Sequence, residues 1–134
     1  MTVAEYAELF VMNQELVSMH AMNLSAMVFA YLVAAQFAGA KISKVQVYLL
    51  TLVYSAFLMG PFFQYLSAFN ARYRIRIEIE KLSPEIAGAV APNAFPFSQD
   101  VAVIIACTIF ITGWAASIVY MFQIRKKHAS AVST

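Results

Sequence analysis

Apolar positions recur along this chain in four stretches, separated by short charged clusters. Over residues 2–18, Tyr6, Leu9, Phe10, Met12, Asn13, Leu16 and Met19 return at threes and fours, with Glu5, Glu8 and Glu15 mostly on another side. That spacing predicts a short amphipathic helix, lying in a membrane interface or running straight into the next segment. A first span follows at about 19–40. After Lys41-Ile42-Ser43-Lys44, the 25 residues from Val45 to Phe69 carry no formal charge. At 1.5 Å per residue they cross a hydrocarbon layer ~30 Å thick. A third span is predicted at about 101–124, closed by Arg125-Lys126-Lys127-His128.

The segment 72–82 reads two ways. Its alternation of Arg with Tyr/Ile and then Ile with Glu fits a half-exposed strand. The same residues place Arg74 with Glu78 and Arg76 with Glu80 at i,i+4 on a helix. Because no Gly or Pro intervenes between Pro61 and Pro84, a helix continuing past the bilayer is the better reading. Pro61 is expected to kink the second span. Ser83-Pro84 marks a stop and a fresh start, with a helical turn through Ala91. Pro92–Phe97 is expected to be extended. Ser98 is a cap for the third span, and Ala129–Thr134 a disordered tail. The fold class is therefore an all-α membrane protein with three transmembrane helices, a short N-terminal amphipathic helix and a helical extension after the second span, in a single domain over 1–134.

Composition agrees: 62% of 134 residues are hydrophobic and 12% charged, more apolar surface than so short a chain can hide in its own core. The net charge of +2 leaves no nucleic-acid footprint. One cysteine, Cys107, excludes an internal disulfide. The first 18 residues hold three Glu and no Lys or Arg, the opposite of a secretory signal, so the first span is expected to be retained. The loop at 41–44 and the tail after 124 carry five Lys/Arg and no acid, against Arg72, Arg74, Arg76 and Lys81 among all seven acids on the other side. The positive-inside rule then puts the C-terminus in the cytoplasm and the N-terminus outside, and the expected location is a bacterial inner membrane.

Candidate chemistry is sparse. Ala26, Ala30, Ala34 and Ala38 form a small-residue stripe suited to close helix packing. His20, Asn23, Gln64 and Asp100 fall at a similar outer depth and form a candidate polar cluster. Arg72, Arg74, Arg76, Glu78 and Glu80 are candidate contacts for an acidic partner or lipid phosphate. His20 and His128 lie at opposite faces, so one chain supplies no bis-His haem site. Met19, His20 and Met22, with Met12 a turn or two earlier, offer soft ligands, but Met19, His20 and Met22 do not all share one helical face as a metal site would require. No cofactor is implied. No nucleophile–base set or phosphate-binding glycine loop is present. The expected function is a non-enzymatic structural or accessory membrane protein, self-assembling as a homo-oligomer or joining a larger complex in the lipid bilayer. The alternative is an oligomeric channel or transport element lined by Thr51, Ser55, Gln64, Thr108, Thr112 or Ser117 of several chains.

Overall fold

The computed structural model describes residues 1–39, 41–90 and 98–131. They form helices α1 (Val3–Ala38), α2 (Lys44–Leu82), α3 (Pro84–Val90) and α4 (Gln99–Ala131), with no strand among the described residues. Three of the helices are long and apolar enough to cross a membrane. The protein is an all-α membrane protein.

Of the two arrangements expected for residues 2–18, the chain adopts the continuous one. No Gly or Pro interrupts α1, and its 36 residues extend about 54 Å, well beyond one hydrocarbon layer. Thr2 and Glu5 cap its start reciprocally. The Thr2 amide donates to the Glu5 carboxylate at 2.7 Å and the Glu5 amide to Thr2 Oγ1 at 3.3 Å. Ser43 and Gln46 repeat this box at the start of α2, at 2.7 and 3.3 Å. Each box satisfies two otherwise orphaned donors.

α2 stays helical through Pro61 and on to Leu82, so residues 72–82 are helix and not strand. The Ser83 carbonyl accepts from Ala87 at the head of α3, and the Ser98 carbonyl from Ala102 at the head of α4, placing both predicted starts. α4 continues to Ala131, further than the tail expected from Ala129. Ala40, Ala91, the Pro92–Phe97 stretch and residues 132–134 lie outside the described residues.

The helices contribute to two compact units, Met1–Met22 with Phe62–Ile105 and Asn23–Pro61 with Ala106–Thr134. In the first unit, Phe10, Ile79 and Ala87 are buried together against Val3, Tyr6 and Ile75. A second cluster joins Val17, Ala68 and Phe69 to Leu16, Tyr65, Ala102 and Val103. In the second unit, Tyr31, Ala35, Val47, Tyr54, Leu58 and Met121 form the core. Outward-facing apolar side chains are large and numerous: Phe29, Phe37, Leu52, Phe57, Ile104 and Ile109 are 62–75% exposed. Lipid is the solvent that makes such a surface stable.

Candidate functional site

The densest side-chain chemistry lies inside the second unit, where helical spacing collects polar groups from three helices. Thr51, Tyr54 and Ser55 share one face of α2, and Trp114 and Ser117 one face of α4. Tyr31 approaches from α1. Its ring stacks on Tyr54 with centroids 4.0 Å apart and planes 17° apart. Its hydroxyl shares a hydrogen bond with Thr51 Oγ1 at 2.7 Å. Tyr54 and Ser117 hydroxyls are 3.1 Å apart, and Ser117 donates to the Trp114 carbonyl at 2.7 Å. With its one proton so used, Ser117 accepts from Tyr54. Trp114 Nε1 donates to Ser55 Oγ at 3.0 Å, and Ser55 in turn donates to the Thr51 carbonyl at 2.8 Å.

Two further contacts lie outside this group. Tyr120 donates to Gln36 Oε1 at 2.6 Å, bonding α4 to α1, and Arg125 Nη1 donates to the Ile42 carbonyl in the α1–α2 turn at 3.0 Å. Each pair among α1, α2 and α4 is thereby bonded within this unit. Interhelical hydrogen bonds in lipid average ~0.6 kcal/mol, so the four side-chain bonds contribute about 2–3 kcal/mol. Compared with known protein families, curated proteins and solved structures, the chain matches none. Its reading rests on this geometry.

Chemically, the network consists of hydroxyl groups, one indole N–H and main-chain carbonyls. The sequences of Asn23–Pro61 and Ala106–Thr134 contain no Asp or Glu, so among the described residues of this unit no side-chain carboxylate stands beside Tyr31, Tyr54 and Ser117 as a general base. Among the described residues no group of His, Cys, Asp and Glu is placed to hold a metal.

The residues singled out by sequence fall as follows. Ala26 and Ala30 are exposed and Ala34 and Ala38 half-buried, while Ala35, one position off the stripe, is fully buried in the chain's own core. His20, Gln64 and Asp100 belong to the first unit and Asn23 to the second. His20 is half-buried and the other three are exposed. Among the described residues no hydrogen bond joins His20, Gln64 and Asp100; Gln99 instead bonds Asn70 at 3.1 Å.

The α2 extension is wired differently from the i,i+4 expectation. Glu78 pairs with Lys81 at 2.7 Å, and among the described residues no ion pair joins Arg74 to Glu78 or Arg76 to Glu80. Arg72 lies 5.3 Å from the Phe10 ring centroid and 6.0 Å from that of Phe69, and donates to Gln14. Burial lowers the pKa of this guanidinium from its ordinary value; Tyr65 acts against the shift and Arg76 adds to it. Arg76 is half-buried, with its Nε enclosed and unbonded, whereas Arg74 and Glu80 are exposed.

Tyr31, Tyr54 and Trp114 were not among the candidate residues. A signal for them existed: each falls near the middle of its span, away from the interface where Tyr and Trp usually sit. A mid-membrane O–H or indole N–H calls for a protein partner.

Proposed function

We propose that the chain is a structural or accessory membrane subunit that packs with copies of itself, inserted in a bacterial inner membrane with its N-terminus outside and its C-terminus cytoplasmic. The interhelical polar network of the second unit carries this reading. Thr51, Ser55 and Ser117, three of the six side chains that would line a pore between several chains, spend their hydrogen bonds bracing one chain's own helices. A brace of this kind gives a rigid element with no open chemistry in its interior, as a structural subunit requires.

Exposed Ala26 and Ala30 on α1, with Ala35 facing inward, leave a small-residue surface for a neighbouring helix. Apolar area alone does not drive helices together in lipid, but close backbone approach does. Ala26→Leu plus Ala30→Leu is therefore expected to reduce the assembled mass in nanodiscs while insertion and helicity persist. Monomeric mass for the unmodified chain, or an unchanged assembly in the double variant, would count against the reading.

A further inference from the structure

We propose that a cleft between the start of α2 and the end of the apolar part of α4 is a binding site for the phosphate-bearing headgroup of an anionic phospholipid. The cleft has a volume of about 300 Å³ and is lined by Lys44, Val47, Tyr48, Phe122, Arg125 and Lys126. Both walls use the same spacing: positions i, i+3 and i+4 from α2, and again from α4. The result is amphipathic. Val47 is buried at its base, and the Tyr48 and Phe122 rings meet at 5.8 Å with a 54° tilt. Lys44, Arg125 and Lys126 add the cationic lining.

Charge points to an anion as the occupant. The sequence of this unit contains Lys41, Lys44, Arg125, Lys126 and Lys127 and no Asp or Glu. Arg125 is held by its Nη1 bond to the Ile42 carbonyl, which orients the guanidinium while its other N–H groups keep their donor capacity. A planar fork beside lysine ammoniums suits phosphate oxygens. Position points to a lipid as the source of that anion. Lys44 immediately precedes the charge-free stretch of α2, and Arg125 immediately follows the apolar stretch of α4. The cations therefore sit at headgroup depth, with the aromatic pair directed toward the chains. Basic clefts between membrane helices recognise acidic headgroups in this way.

The test is native mass spectrometry of the full chain from micelles containing equal phosphatidylglycerol and phosphatidylcholine with identical acyl chains. The unmodified protein is expected to retain phosphatidylglycerol at least ~10-fold over phosphatidylcholine, in the range that a few charge-assisted hydrogen bonds provide. Lys44→Gln plus Arg125→Gln should erase the preference. Lys41→Gln plus Lys127→Gln, an equal loss of charge outside the cleft, should keep it. Because losing Arg125 also frees the turn, Lys44→Gln alone provides a second arm: Lys44 is exposed, and its loss should weaken the preference severalfold with the circular dichroism unchanged. Equal retention of the two lipids by the unmodified protein would overturn the site, as would equal losses in both double variants or an unaltered preference in Lys44→Gln. Displacement of the lipid by millimolar inorganic phosphate would overturn the lipid as its occupant.

Discussion

Tyr54→Phe tests the intramembrane brace with the least disturbance. It removes one oxygen, keeps the ring that stacks on Tyr31 at 4.0 Å, and takes away the donor that Ser117 accepts at 3.1 Å. Ser117 is 2% exposed, so no solvent replaces the lost bond. Interhelical hydrogen bonds in bilayers are worth ~0.6 kcal/mol on average and ~1.7 at most, and Tyr54→Phe should fall in that range. Ser117→Ala removes the same bond from the other side, and the double variant should cost less than the sum of the two. The coupling energy is then about 0.6–1.7 kcal/mol. Reversible unfolding of the full chain in mixed micelles with rising dodecyl sulfate, followed by circular dichroism, measures it. Leu58→Ala calibrates the scale. Leu58 is fully buried in the same core, and such truncations cost about 2–5 kcal/mol in well-packed interiors. If the two single effects add to within ~0.3 kcal/mol, the side chains are energetically independent and the brace is refuted.

Three further outcomes follow from other parts of the molecule. A Cβ at Gly39 would lie 2.5 Å from the Ala35 carbonyl oxygen and 3.1 Å from Met121 Sδ, so Gly39→Ala should destabilise the turn after α1 by about 1–3 kcal/mol; an unchanged melting temperature would contradict this. Arg72→Gln should cost about 0.5–1 kcal/mol through its contact with Phe10 and speed amide exchange over residues 3–17, with Arg72→Lys intermediate; equal exchange in all three proteins would count against that contact. In a Cys107→Ser background, single cysteines at Thr2 and Ser43 should label from opposite sides. Lys41→Gln plus Lys44→Gln, which reverses the basic count of five against four, should give mixed labelling; same-side labelling at Thr2 and Ser43 would contradict the proposed topology.

The spans were legible because their limits are chemical. Lys41, Lys44 and Arg125 bracket charge-free runs, and Ser83 and Ser98 precede helices where caps are favoured. The unity of α1 was left open: nothing between Val3 and Ala38 breaks a helix, but Glu5, Glu8 and Glu15 drew attention to a separate N-terminal segment. The inward face of α1 was not legible. Ala34 and Ala35 are adjacent in an alanine-rich helix, and periodicity does not say which of them meets Val47 and Met121 in the core. The brace was hidden because Tyr31, Tyr54 and Trp114 count as apolar in a hydropathy reading, and their polar ends declare themselves only when partners on other helices are known. The contacts of Arg72 were hidden for a related reason. Its partners Phe10 and Gln14 are some 60 residues away, whereas sequence spacing offers only neighbours within a helical turn.

The directions of the hydrogen bonds constrain mechanism as well as stability. A proton relay needs every member to accept on one side and donate on the other along an unbroken path. Here Tyr54 donates to Ser117, which donates to the Trp114 carbonyl. Likewise the Trp114 indole donates to Ser55, which donates to the Thr51 carbonyl. Both chains end on main-chain oxygens of their own helix, which have no proton to pass on. Proton transfer along these two chains would require breaking the bonds that hold α2 to α4, in lipid where each broken bond leaves an unsatisfied polar group. Rigidity and conduction therefore compete for the same side chains, and the observed orientations favour rigidity.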